Sequence, residues 1–254
     1  MSILKVENLS KSYSLGKENE QLILQDVSLQ IKEGEFAAVM GPSGSGKSTL
    51  LYTISGMDTV TSGRVVLDGL ELTSLPEDKL SAMRLKKMGF VFQDIHLLKN
   101  LSIFDNVILP GYLSNNANRE QVNRRARELM ESVGITPLAD HDITQASGGQ
   151  LQRVGICRAL INEPCVVFGD EPTGALNSKA AGRIMSLLTE INQSGTTILL
   201  VTHNIKIASQ ADRVIYMLDG QIESQKELGK FAANGRNQRA REEELSEWLF
   251  ELGF

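Results

Sequence analysis

The densest chemistry in the sequence lies in EFAAVMGPSGSGKSTLL, Glu35 to Leu51. An apolar run leads into Gly41, Pro42, Ser43, Gly44, Ser45 and Gly46, and then into Lys47, Ser48 and Thr49. The spacing fits the G-x-x-x-x-G-K-[ST] phosphate loop, with a strand pattern before it and a helical pattern after it. Glycines let successive N–H groups turn inward on an anion, and the helix beginning there adds its positive N-terminal end. Lys47 is placed to reach the β- and γ-phosphates, and Ser48 to offer a hydroxyl to Mg²⁺. The motif implies binding of a nucleoside triphosphate. Kinases, GTPases, helicases and transport motors share it, so the use made of the bound nucleotide stays open at this point.

Three further groups fall just past apolar, strand-like runs. In CVVFGDEP the apolar run ends in Gly169, Asp170 and Glu171. A carboxylate at the tip of a buried strand beside a phosphate loop is a second Mg²⁺ anchor, here Asp170. Glu171 is suited to polarise an attacking water as a base. His203 follows TTILLVT and is suited to bond the γ-phosphate and hold the water in line. In an open parallel sheet such strand ends share the edge where ligands bind. A fourth group, Ser147-Gly148-Gly149-Gln150, precedes a helical pattern and makes a second phosphate-type helix N-terminus without a lysine. Two such sites suit one nucleotide only if each faces the nucleotide of another copy of the chain. His96 and His141 read as surface or capping histidines.

These groups need elements to position them. Strand-like runs are ILKVENL, LILQDVSLQI, FAAVM, GRVVLDG, GFVF, CVVFGD, TTILLVT and RVIYML. Helical patterns cover Lys47–Gly56, Pro76–Lys87, Arg119–Gly134, Gly149–Asn162, Ser178–Gln193 and a short Ile205–Gln210. Alternation of this kind predicts an α/β domain with a largely parallel sheet. From about residue 94 to 160 the strand pattern fades, and a helical lobe inserted into the core is expected there. GKFAANGRNQRAREEE reads as a solvated linker. In LSEWLFELGF, Leu245, Trp248, Leu249 and Leu252 share one helical face.

Composition bounds the function. The chain has 254 residues, 41% apolar and 22% charged, with a net charge of −5. That is enough for one large globular domain with an inserted lobe. A mildly acidic balance argues against a nucleic-acid partner. No signal peptide is read at the N-terminus, and the apolar runs fall short of the ~20 residues of a spanning helix. The two cysteines, Cys157 and Cys165, read as reduced buried thiols.

Taken in order, the motifs resemble those of the ATP-binding cassette (ABC) ATPases over roughly Ile3 to Glu223. The resemblance implies a P-loop NTPase core with a mostly parallel sheet, an antiparallel β subdomain and the inserted helical lobe. It implies an ABC ATPase domain over 1–226, with the linker and an amphipathic C-terminal helix over 227–254. In that family Tyr13 matches the aromatic residue that stacks on adenine, and Gly41 to Thr49 is the Walker A loop. Gln93, in FVFQD, matches the glutamine that touches Mg²⁺ and the water. Ser147 to Gln150 is the signature sequence, Asp170 and Glu171 are the Walker B pair, and His203 is the switch histidine. Two departures stand out. Ala146 replaces the usual Leu, which should cost packing, and Asn177 replaces the usual Asp of the loop that couples the two nucleotide sites.

The resemblance further implies a head-to-tail homodimer holding two ATP molecules with Mg²⁺, hydrolysis by Glu171, and a separate integral membrane permease that receives the motion. The chain would sit peripherally at the cytoplasmic face of the plasma (inner) membrane. MGPSGSGKSTLL, FVFQDIHLLKNLSIFDNVILP and DEPTGAL look most like the ATPases of bacterial lipoprotein-releasing and of macrolide or antimicrobial-peptide exporters. The alternative in the same fold is a non-transport ATPase of iron–sulfur assembly or cell-division signalling. Leu97, Leu98, Leu101 and Phe104 have two readings, a groove for a permease helix or packing of the lobe. The C-terminal helix either docks on a neighbour or folds back on its own core.

Overall fold

The computed structural model describes residues 1–254 except 15, 17–19, 115–117 and 233–236. Along the chain the elements are β1 (Ser2–Ser14), β2 (Glu20–Lys32), β3 (Phe36–Met40), α1 (Lys47–Ile54), β4 (Ser62–Leu67) and β5 (Leu70–Glu71). Then come α2 (Glu77–Lys87), β6 (Met88–Phe92), α3 (Ile103–Leu113), α4 (Arg119–Ser132), α5 (Gly148–Leu160), β7 (Val166–Asp170) and α6 (Ser178–Gln193). The chain closes with β8 (Thr197–Val201), α7 (Ile205–Ala208), β9 (Arg213–Leu218), β10 (Gln221–Glu227) and α8 (Gln238–Glu251). Two compact units result, Met1–Pro76 with Asn192–Phe254, and Glu77–Ile191.

The first unit holds an antiparallel sheet, ordered β2-β1-β4-β5, and a run of strands ordered β10-β9-β3-β8. In that run β3 is parallel to both β8 and β9, and only β10 is antiparallel. Every residue of β3 and β8 is buried, as continuous apolar runs require when both faces of a strand are covered. β10 alternates polar and half-buried positions, an edge-strand pattern with no apolar run to betray it in the sequence. Where the chain enters β3 and β9, a buried ion pair ties the unit together. The Arg213 Nε donates to Glu35 Oε1 at 2.6 Å, and both side chains are almost fully enclosed. The same guanidinium donates to the Gln30 carbonyl and to Gln225, while Glu35 Oε2 accepts from the Lys32 N–H.

In the second unit β6 and β7 pair in parallel. α3, α4 and α5 close over a core that includes Ile103, Val107, Ala126, Met130 and Val154. α3 lay outside the expected helices because Pro110 interrupts its pattern. Its start is nevertheless encoded, for Ser102 caps it by accepting from the Asp105 N–H. Buried Asn106 pins the preceding loop by donating to the carbonyls of Leu98 and Ser102. Leu97 and Phe104 pack against this core, whereas Leu98 is exposed. Ala146 also packs against it.

α8 begins at Gln238, inside the stretch read as linker. Residues 233–236 of that stretch lie outside the described residues. Polar and charged residues hid the helix because they pair at i, i+4: the Gln238 amide donates to Glu242 at 2.8 Å, and Arg239 forms an ion pair with Glu243 at 2.9 Å. Leu245 and Leu249 are buried, so α8 folds back on its own unit.

Removing Arg213 leaves the Glu35 carboxylate enclosed and uncompensated. Arg213→Met is therefore expected to destabilise the protein by about 3–5 kcal/mol, measured by urea unfolding followed by circular dichroism. A loss under about 1 kcal/mol would match an exposed pair instead and contradict this role.

Candidate functional site

β3 delivers the chain to Gly41, where the Met217 carbonyl at the end of β9 stands in the way of any side chain. A Cβ on Gly41 would meet that oxygen at 2.1 Å. Gly44 and Gly46 take φ values of +83° and +95°, which other residues adopt only with strain. The turn closes as the Ser45 N–H donates to the Pro42 carbonyl at 3.2 Å, and the Gly220 N–H ties the loop down through the Ser45 carbonyl. Ser43 and Gly44 form its exposed rim. α1 then begins at Lys47 with Gly46 as its cap, a residue with no side chain to accept from the first-turn N–H groups. Lys47 Nζ curls back over the loop and donates to the carbonyls of Gly41 (2.9 Å) and Pro42 (2.7 Å). Glycine-lined backbone, a helix N-terminus and an ammonium on one turn fit a polyphosphate. Ser48 and Thr49, in the first turn of α1, add hydroxyls.

The parallel register places His203 beside this loop. Val39 of β3 lies opposite Val201 of β8, and the Thr202 N–H donates to the Val39 carbonyl at 3.1 Å. Gly41 and His203 therefore leave neighbouring strands at the same level. His203 is exposed, between β8 and the single turn of α7.

Tyr13, 40% exposed near the end of β1, is held by a charge cluster that sequence reading missed. Its hydroxyl donates to Asp58 Oδ2 at 2.5 Å. Buried Lys11 donates to Asp58 Oδ1 at 2.8 Å and lies 4.7 Å from the centre of the Tyr13 ring. Partial burial alone would raise the Asp58 carboxyl, but bonds from Lys11, Tyr13 and the Thr59 N–H outweigh it and hold it below the usual value. Burial and the bond to Asp58 push the Tyr13 phenol up. Asp58 lies 47 residues from Lys11, so no local spacing signals the cluster.

The second unit assembles its own group. Phe92 of β6 pairs with Asp170 of β7, so Gln93 and Glu171 leave the ladder side by side. The Gln93 carboxamide lies over Gly174, where a Cβ would meet its Cδ at 3.0 Å. Glu171 takes a left-handed φ of +46°, a conformation rare outside glycine and frequent at functional positions. The turn after it is closed by the Gly174 N–H on the Glu171 carbonyl at 2.9 Å.

Ser147 caps α5, and Gln150 Oε1 accepts from both the N–H and the hydroxyl of Ser147, at 2.7 and 2.8 Å. Gly149 is small because the Ala180 Cβ would stand 3.2 Å from any Cβ there. Asn177 Oδ1 accepts from the Ala180 N–H at 3.0 Å, capping α6, so Asn at this position keeps the cap without a charge. The loop before α6 and the α5 tip line a cavity of about 340 Å³ that carries Arg153, Lys179 and Arg183. Along α5, Gln152 donates to the Phe92 carbonyl at 3.0 Å and Arg158 to the carbonyls of Ile95 and His96 at 2.6 and 2.8 Å. Together, buried Gln152 and half-buried Arg158 fix the segment around Gln93 from along the helix. Sequence reading missed both. Cys157 is buried, and burial pushes its thiol up to about 12, whereas Cys165, expected to be buried as well, is half-buried and donates to the Lys87 carbonyl at 3.2 Å.

The structure thus brings Tyr13, the phosphate loop and His203 into the first unit. Gln93, Asp170, Glu171 and Ser147–Gln150 belong to the second. Among the described residues no helix is long and apolar enough to cross a membrane.

A family profile described as ABC transporter matches residues 24–174. The chain is 42% identical to the uncharacterized ABC transporter ATP-binding protein YvrO of Bacillus subtilis, over 87% of this chain and 95% of that one. It is 41% identical to the lipoprotein-releasing system ATP-binding protein LolD 1 of Chlorobium chlorochromatii, over 89% and 93%. It is 43% identical to the macrolide export ATP-binding/permease protein MacB of Chlorobaculum tepidum, of which it spans 33%. Among solved structures, the dimeric ABC transporter cassette MJ0796 superposes with a TM-score of 0.83 at 41% identity, covering 90% of this chain and all of that one. A post-hydrolysis dimer of the same protein bound to ADP and Pi gives 0.82.

The Asp58 cluster has a measurable signature. With its carboxyl held below the ordinary 3.8, Asp58 contributes stability that is complete above that pH and is lost as pH falls through the folded-state value. Asp58→Asn should therefore be less stable than wild type near neutrality, with the gap closing below 3.8 in urea melts across pH. A gap independent of pH would contradict the charge pairing.

Proposed function

The chain belongs to the ABC transporter family, and from that premise we propose that it is the ATP-hydrolysing subunit of a transporter of the lipoprotein-releasing or macrolide-export type, powering a separate membrane permease. One observation carries the reading: a complete phosphate loop, with Gly41 pressed on the Met217 carbonyl and Lys47 folded over the turn, in a chain whose relatives are ATP-binding cassettes. The rival reading, a non-transport ATPase of iron–sulfur assembly or cell division, is not favoured, because the named relatives are transport proteins.

Each residue takes a role from its chemistry. Tyr13, braced by Asp58, stacks on the adenine. The loop N–H groups and Lys47 bind the β- and γ-phosphates, and binding there favours charge in transfer more than charge at rest. Ser48, Asp170 and Gln93 are hard oxygen donors that would hold Mg²⁺, and the ion would supply positive charge to the phosphates. Glu171 accepts a proton from the attacking water, and His203 orients the γ-phosphate. Ser147 and Gly149 serve the nucleotide of a second copy, giving a head-to-tail homodimer that ATP closes and product loss opens. The permease is an integral membrane protein, and the chain works against it from the cytoplasmic face.

Lys47→Ala is expected to raise the Kd for Mg-ATP about tenfold or more, read by calorimetric titration. Glu171→Gln should lower kcat by about 10²–10⁴-fold while leaving that Kd within about twofold. Unchanged affinity in the first variant, or wild-type turnover in the second, would remove the corresponding role. A membrane protein co-purifying with the chain from detergent extracts supports the transport reading, and a soluble assembly in its place contradicts it.

A further inference from the structure

α7 is a single turn, Ile205–Ala208, and a helix that short has almost no stability of its own. It comes directly after His203, with Asn204 as its cap. It must therefore be held at both ends if His203 is to keep one position. The N-terminal end is held to β8, since the Asn204 N–H donates to the Thr202 hydroxyl at 3.1 Å. The C-terminal end is held by α8, from a part of the chain outside the residues that match the family profile.

The fastening is Arg241. Its buried guanidinium donates to four carbonyls: Ser209 (2.7 Å) and Ala211 (2.6 Å), just after α7, and Leu228 (2.7 Å) and Gly229 (3.0 Å), just after β10. A guanidinium is the one side chain with enough donors, in a fixed plane, to satisfy such a set. The two segments already meet at Asp212, whose carbonyl accepts from the N–H groups of Leu228 and Gly229. The Asp212 carboxylate in turn accepts from the Phe36 N–H, at the start of β3, and from Lys230, after β10. Leu245 and Leu249 bury the rest of the helix face, and Trp248 sets its ring edge on buried Tyr216 at 6.3 Å. The Ser209 N–H donates to the Ile205 carbonyl at 2.8 Å, so a fixed Ser209 fixes the turn and the histidine before it.

We propose that Arg241 is a positioning residue for His203: through the carbonyls of Ser209 and Ala211, α8 holds the α7 turn in the place from which His203 acts. The proposal rests on the assignment of His203 to the γ-phosphate. In this chain the C-terminal helix is then a brace of the hydrolytic site, and loosening it slows chemistry without releasing nucleotide.

The test compares Arg241→Gln and Arg241→Lys with wild type, and uses His203→Ala as control. Measured quantities are kcat, the Kd for Mg-ATP and hydrogen exchange of the backbone. Expected is a fall in kcat of roughly 5- to 50-fold for Arg241→Gln, a smaller fall for Arg241→Lys, which keeps the charge but not the planar fork, and a Kd within about twofold in both. Exchange should quicken between His203 and Asp212 and stay unchanged in β3 and β8. If Arg241→Gln does not fold, Arg241→Lys alone decides by the same split. Wild-type kcat in a folded variant with quickened exchange overturns the proposal, and so does parallel loss of kcat and affinity. Wild-type turnover in His203→Ala removes the assignment of His203, and the proposal with it.

Discussion

The contact between Gly41 and the Met217 carbonyl is the constraint on which the site depends. β3 and β9 run parallel and adjacent, and the Met217 carbonyl near the end of β9 leaves no room for a side chain just past the end of β3. A backbone free of Cβ turns there at little cost and brings its N–H groups together. The phosphate loop is thus a consequence of strand packing as much as of its own glycines. The same β9 receives α8 through Tyr216, whose register partner in β3 is Met40, the residue before the loop. Support for the loop therefore comes from the far end of the sequence.

Both units use one device to bring chemistry together. Parallel strands paired in register end at the same level, so the backbone register alone makes neighbours of the residues just beyond them. Gly41 and His203 arise in this way from β3 and β8, and Gln93 and Glu171 from β6 and β7. The left-handed backbone of Glu171 adds a local strain that the Gly174 turn and the overlying Gln93 side chain hold in place.

Chemistry confined to short windows was legible in the sequence. The phosphate loop, the carboxylates after CVVFG and the serine–glycine helix tip can each be read because their residues are adjacent and their local structure results from them. The fold class was equally open, since FAAVM and TILLV are too apolar to lie anywhere but between covered faces. The supports were not readable. Asp58 reaches Tyr13 and Lys11 across 45 and 47 residues, and Arg241 reaches Ser209 across 32, distances at which spacing carries no signal. α3 was obscured by Pro110, and the first turns of α8 by polar and charged side chains, among them Gln238 and Arg239, that pair along the helix.

The proposed arrangement, a nucleotide held on one side by a lysine-bearing loop and on the other by a second copy's serine–glycine tip, would make association depend on ATP. Sedimentation of the Glu171→Gln chain, with and without saturating Mg-ATP, tests this most directly. The account predicts a dimer with ATP, one nucleotide per chain, and a monomer without it. A chain that stays monomeric with its loop fully occupied by Mg-ATP would contradict it.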